Sequence, residues 1–185
     1  QLKAMGINPH YDGIASDNKQ KIHERIEKLF HSYDLIIITG GASDGEHDHV
    51  PAVLKDLGLE VLYNKLAIQP GKPVSFAAGN NKFCFGLSGN PVSSYLQFEL
   101  LAKPFLYQLM THEYQHPIIM SELGGKLRRK NAERLKFVPV QFNKYGQVEE
   151  IHFNGSAHIA GLISADGFAL FPKDCEALEP GDKIE

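Results

Sequence analysis

The sequence predicts an α/β fold, an open and mostly parallel three-layer α/β/α sheet, followed by a small C-terminal β-barrel domain. Three observations carry this prediction. Helical stripes alternate with short apolar runs up to about Met110. One of those runs, Leu35-Ile36-Ile37-Ile38-Thr39, is continuous and rich in β-branched residues, as suits a parallel strand covered on both faces. After Leu127 the pattern changes to short alternating strands punctuated by glycine. The change places one domain at 1–112, an α/β domain incomplete at its N-terminal side, and a second, β-rich domain at 113–185.

Each element follows from local pattern. Lys19 to Phe30 sets Ile22, Ile26, Leu29 and Phe30 on one helical stripe with charges opposite. Asp34 opens the strand that ends at Thr39. Val50 to Leu57 reads as a helix closed by Gly58, because glycine accepts the left-handed cap conformation. Strands are expected at Leu59 to Leu62 and Lys82 to Leu87, then a long amphipathic helix from Pro91 to Met110. The second part reads as strands at Arg134 to Phe142, Val148 to Phe153 and Phe168 to Phe171, with one short helix near Ala157 to Ser164.

Composition bounds the function. At 185 residues, 43% hydrophobic and 22% charged, the chain has the balance of a folded globular protein. A formal net charge of −3 gives no global attraction to nucleic acid or to an anionic membrane, so any anionic ligand is held locally. Neither a nucleic-acid nor a membrane partner is expected, and no apolar run reaches the roughly 20 residues that span a bilayer. Cys84, in Phe83-Cys84-Phe85, reads as a small core hydrophobe, and the far-apart pair Cys84 and Cys175 suits a reducing cytoplasm. The chain begins Gln1-Leu2-Lys3 without an initiator methionine, which suggests a fragment or trimmed chain.

Three turns carry the chemistry, and each follows a predicted strand, where open α/β sheets bind ligands. The first is Thr39-Gly40-Gly41-Ala42-Ser43-Asp44-Gly45-Glu46-His47-Asp48. Its glycines allow close backbone approach and turn amide hydrogens toward an anion. Glu46 and Asp48 could bind a divalent metal or act on water, or could simply cap the next helix. Glu46-His47-Asp48-His49 is not read as a zinc site, since adjacent positions rarely converge on one ion. The second turn, Lys65-Leu66-Ala67-Ile68-Gln69-Pro70-Gly71-Lys72-Pro73, presents two lysines that suit an oxyanion such as phosphate or molybdate. An isolated Pro-Gly-Lys is equally the sequence of a plain surface turn. The third is Gly86-Leu87-Ser88-Gly89-Asn90-Pro91-Val92-Ser93, with Asn90 as N-cap and Pro91 at the first helical position. The positive end of the helix behind it suits an anion, and a well-capped core helix would read the same way.

In this order the three turns resemble the third domain of MoeA-type molybdopterin molybdenumtransferases, including the matching domain of gephyrin. The family pattern is Gly-Gly-x-Ser-x-Gly-x-x-Asp, then Pro-Gly-Lys-Pro, then Gly-Leu-Pro-Gly-Asn-Pro-x-Ser. The β-rich part resembles the family's fourth domain at Asn154-Gly155-Ser156-Ala157-His158 and at Gly167-Phe168-Ala169-Leu170-Phe171-Pro172. Adenylyltransferases of the MogA/MoaB type share the molybdopterin-binding α/β fold, but their first turn continues differently and they lack the β tail.

The resemblance implies molybdenum cofactor biosynthesis by a cytoplasmic, homodimeric transferase. Adenylated molybdopterin is bound, molybdate is taken in, and the phosphoanhydride is hydrolysed with release of AMP, assisted by Mg2+ or another divalent cation. It implies roles in metal-assisted catalysis for Asp17 and Asp48, both also metal ligands. It implies substrate binding by Gly40, Gly41, Ser43 and Gly45 of the first turn, and by Lys65, Pro70, Gly71 and Lys72 of the second. Ser88, Gly89, Asn90, Pro91 and Ser93 of the third turn and Ser156 of the tail complete the set. The chain departs from the pattern at Gln69, where a basic residue is usual, at Ser88, where proline is usual, and at Asp44, where a small apolar residue is usual. The family's Thr-Gly-Asp-Glu segment aligns before Leu2, so the chain is expected to be inactive alone. A gephyrin-type peptide-binding scaffold and a MogA/MoaB-type adenylyltransferase are the alternative functions.

Overall fold

The computed structural model describes residues 1–41, 49–151 and 159–185. Its first part is built on a four-stranded sheet in the order β1 (Leu35–Thr39), β5 (Lys82–Leu87), β4 (Pro73–Gly79), β2 (Glu60–Lys65). Alternation along the strands sends successive side chains to opposite faces. On one face Ile36, Ala77 and Cys84 pack under α1 (Lys19–Phe30) and α2 (Val50–Asp56), with Ile26, Val53 and Leu54. On the other, Val74, Phe76, Phe85 and Leu87 pack against Phe98, Ala102 and Leu106 of the long helix. Helices thus cover both faces, which is the expected three-layer α/β/α arrangement.

The expectation of a mostly parallel sheet is corrected. Among the described residues of this sheet only β1 and β5 run parallel, while β5 with β4 and β4 with β2 are antiparallel. The cause is local. Asn80 and Asn81 both take positive φ, 52° and 58°, the geometry of a two-residue hairpin turn whose twist matches its flanking strands. Such a turn can join only antiparallel neighbours.

Four aromatic rings fill the second face. Phe85 and Phe105 lie 4.5 Å and 5.1 Å from Phe76, and Phe83 lies 5.0 Å from Phe105. Phe76 and Phe85 are buried, and full burial of such a ring contributes roughly 1.5–3 kcal/mol, whereas Phe83 and Phe105 are partly buried. The expected helix from Pro91 to Met110 is α3 (Pro91–Gln97), a π turn (Phe98–Ala102) and α4 (Lys103–Leu109) in sequence. Pro104 cannot donate a backbone bond, and the chain widens just before it, with the Lys103 amide bonded to the Phe98 carbonyl. No helix among the described residues is long and apolar enough to cross a membrane.

The second part folds around Leu123, Leu127, Val138, Val140, Val148, Ala169, Phe171 and Ile184. The longest strand, β8 (Leu135–Phe142), pairs antiparallel with β10 (Gly167–Phe171) and with β9 (Val148–Glu150). A bridge from Leu123 to Val148 leads on to β6 (Ser121–Glu122), which pairs with β12 (Lys183–Ile184). The Leu170 amide donates to the Glu185 carbonyl at 2.8 Å and closes the ring. A two-stranded ladder of β7 (Leu127–Arg128) with β11 (Ala177–Leu178) stands beside it. This is the expected small barrel. The expected short helix near Ala157 is a 3-10 turn at Ile159–Leu162, with its first two positions outside the described residues.

Two residues of the first part join the second. β3 (Ile68–Gln69) pairs parallel with the start of β8, Ile68 opposite Leu135 and Gln69 opposite Lys136.

Cys84 is fully buried, and burial pushes its thiol up to about 12. In native protein at pH 8 an aromatic disulfide reagent is therefore expected to modify Cys175 and spare Cys84, with both reacting in denaturant. Rapid native labelling of both thiols would contradict the packing.

Candidate functional site

The strands carry the three turns to one end of the sheet. β1 runs into Gly40, β5 runs into Ser88, and the antiparallel β2 and β4 have Lys65 opposite Pro73. Lys65 and Lys72, both exposed, therefore emerge from paired strand ends, and the Leu66 amide closes the second turn on the Lys72 carbonyl at 2.9 Å.

The first and third turns meet through glycine. The Gly40 amide donates to the Leu87 carbonyl at 2.9 Å, and Gly40 holds φ +87°. A Cβ on Gly89 would stand 3.4 Å from the Gly40 Cα, so the two backbones lie in near contact. In the third turn the Asn90 amide donates to the Ser88 hydroxyl at 3.2 Å, and the Asn90 carboxamide oxygen accepts from the Ser93 amide at 3.4 Å. Ser88 and Ser93 are buried in this capping arrangement, and Pro91 is exposed at the first helical position.

The second and third turns meet through Gln97, which the sequence reading did not single out. Its side chain is fully buried at the end of α3. The amide nitrogen donates to the Gly71 carbonyl at 2.8 Å and to the Pro73 carbonyl at 2.7 Å, and the amide oxygen accepts from the Ser88 amide at 2.7 Å. Proline at position 88 would have no N–H to give. Ser88 in place of the usual proline thus supplies the donor that Gln97 requires. The second turn also receives a cation from the barrel side. The Arg134 guanidinium lies 3.5 Å from the Ile68 carbonyl, and the Leu135 amide donates to the Ala67 carbonyl at 3.0 Å. Its only sequence signal was its place at the head of a strong strand.

The structure thus places Gly40, Lys65, Pro70, Gly71, Lys72, Ser88, Gly89, Asn90, Pro91 and Ser93 at one end of the sheet, with Gly41 directly after Gly40 and direct links between Gly40 and Leu87 and, through Gln97, between Gly71 and Ser88. Asp17 stands elsewhere in the bonding pattern. It is exposed on the segment entering α1, beside Lys19, which pairs with Asp56 at the end of α2 away from the first turn. Ser43, Gly45, Asp48 and Ser156 lie outside the described residues, as do the departure at Asp44 and the tail motif 154–158. Among the described residues no group of three or more His, Cys, Asp or Glu side chains could hold a metal ion. What the arrangement offers is two exposed lysines at an end of the sheet that also carries the glycine turns, a placement suited to an oxyanion.

Residues 1–108 match the family described as the probable molybdopterin binding domain, and residues 125–185 match the MoeA C-terminal region, domain IV. The chain is 31% identical over 188 residues to a molybdopterin molybdenumtransferase of Bacillus subtilis, covering 100% of this chain and 44% of that protein. It is 42% identical over 169 residues to one of Staphylococcus aureus, covering 90% of this chain and 39% of the relative. A crystal structure of a molybdopterin biosynthesis MoeA protein from Pyrococcus horikosii superposes with a TM-score of 0.80 at 30% identity, over 99% of this chain and 44% of that one. The chain therefore spans less than half the length of these relatives.

Gly71 combines φ +102° with a would-be Cβ only 3.0 Å from the Gln97 amide nitrogen. Gly71→Ala is expected to destabilise the fold by about 2–4 kcal/mol, adding backbone strain to a displaced buried hydrogen bond. Urea denaturation measures this, and a change below about 0.5 kcal/mol would show that the turn does not depend on the glycine.

Proposed function

We propose that this chain, which belongs to the molybdopterin-binding domain family and carries a MoeA C-terminal region, supplies the oxyanion-holding part of a molybdenum-inserting transferase. The observation that carries the reading is that the three turns leave one end of the sheet, with Lys65 opposite Pro73, the residue after Lys72, and the Gly40 and Gly89 backbones in near contact. Molybdate and the phosphate groups of adenylated molybdopterin are the ligands that fit it. Fixed cations stabilise charge without reorganising, which is how a protein favours cleavage of a phosphoanhydride.

In the reaction, water cleaves the phosphoanhydride of adenylated molybdopterin, AMP departs, and molybdate enters the pterin product. This chain's residues bind and orient. Lys65 and Lys72 neutralise oxyanion charge. Complete turnover belongs to a protein of the relatives' length, which is more than twice that of this chain. A cytoplasmic homodimer is the assembly proposed for it.

Equilibrium dialysis tests the reading. The 185-residue chain is expected to bind molybdate, and Lys72→Gln to weaken that binding by about tenfold, roughly 1.4 kcal/mol. Mixed alone with adenylated molybdopterin and molybdate, the chain is expected to release no AMP by chromatography. Binding of neither molybdate nor AMP would overturn the proposal.

A further inference from the structure

β1 ends its sheet. The order β1, β5, β4, β2 leaves one of its sides without a neighbouring strand among the described residues. The ladder to β5 shows which groups that side carries. The Phe83 amide donates to the Asp34 carbonyl at 2.8 Å, and the Gly40 amide donates to the Leu87 carbonyl at 2.9 Å. Alternate residues of a strand turn their backbone groups to the same neighbour, so Asp34, Ile36, Ile38 and Gly40 serve β5. Leu35, Ile37 and Thr39 turn theirs the other way, where no described strand or turn meets them. The strand is also unguarded. Leu35-Ile36-Ile37-Ile38-Thr39 holds no charge, proline or bulge, the devices that keep sheet edges from pairing. A cavity of about 200 Å³ lies against it, with Leu2, Ile37, Leu87 and Phe98 as its apolar lining.

We infer that this edge is a self-association surface, on which β1 of a second copy pairs antiparallel about a two-fold axis at Ile37. The strand complements itself. With Ile37 opposite the partner's Ile37, Leu35 stands opposite the partner's Thr39, and every outward N–H finds an outward C=O. No like charges meet, because Asp34 falls opposite the partner's Gly40. Directly opposed residues share one face of a sheet, so the partner's Leu35 lies beside Thr39 at the apolar cavity and covers it. The contact uses the same patch on both copies and therefore closes at two. It is independent of what the three turns bind.

Sedimentation velocity of the 185-residue chain tests the inference. A five-residue edge is about 17 Å long, and the interface it makes falls below the roughly 800 Å² per partner of a standard complex, so loadings from about 10 µM to 1 mM are compared. A monomer–dimer equilibrium is expected, with no larger species. Ile37→Pro removes an outward N–H and leaves the bonds to β5, as proline does when its missing donor faces away from the sheet. Its dimer is expected to dissociate at least about tenfold more readily. Thr39→Pro makes the same change at an exposed side chain and decides the matter if circular dichroism shows Ile37→Pro unfolded. Wild type that stays monomeric at every loading overturns the inference. Dimerisation unchanged in the folded proline variant overturns it too, as does open-ended association, which a two-fold edge contact does not produce.

Discussion

The burial of β4 and β5 on both faces is the constraint on which the rest of the structure depends. Each strand contributes alternate residues to two cores, Ala77 and Cys84 to one, Phe76 and Phe85 to the other. Neither strand can slip by one residue without exchanging small side chains for phenylalanines and breaking both layers. The antiparallel register is therefore fixed, and the turns that leave these strands are fixed with it. Small residues on the α2 side permit close approach. At Gly79 even a Cβ would stand 2.9 Å from the Gly58 carbonyl, so the hairpin end is locked to the end of the helix layer.

A chain of net charge −3 can still present a locally cationic end, because the register sets Lys65 opposite Pro73, the residue that follows Lys72. Those lysines stay exposed while the groups that hold their backbone are buried. The division has a physical basis: charge is costly to bury, whereas a neutral amide such as that of Gln97 can be buried once its partners are satisfied. The polar interior of this end is accordingly a set of uncharged groups supporting charged ones at the surface.

What could be read from the sequence follows the range of the forces involved. α1, β1 and β5 were legible because a helical stripe, a β-branched run and an alternating aromatic run are local signals. β4 was not, since Pro73, Ser75, Ala77, Ala78 and Gly79 have weak strand preference and the strand exists because β2 and β5 flank it. β3 and the two-residue strands of the barrel depend on partners far along the chain and leave no local periodicity. Antiparallel pairing was missed because Asn80-Asn81 is a weaker turn signal than asparagine followed by glycine. At the candidate site, glycine and proline announced the turns. Gln97 passed unnoticed, because a glutamine on a helix ordinarily reads as a solvent-facing residue. Arg134 was hidden for a similar reason, its relevance arising only when β8 meets β3.

The seam between β3 and β8 bears on how this architecture can be taken apart or recombined. Ile68 and Gln69 sit between the two lysines in sequence, and their backbone is hydrogen-bonded into the barrel's longest strand. The barrel is thus a wall of the turn rather than an appendage to the chain. Severing the two halves would leave a sheet edge bare on one side and a cation-bearing loop without an anchor on the other. A chimaera that borrows its barrel from a relative inherits the geometry of this turn only if the first two residues of the borrowed strand keep their pairing, however well the barrel's own interior is packed.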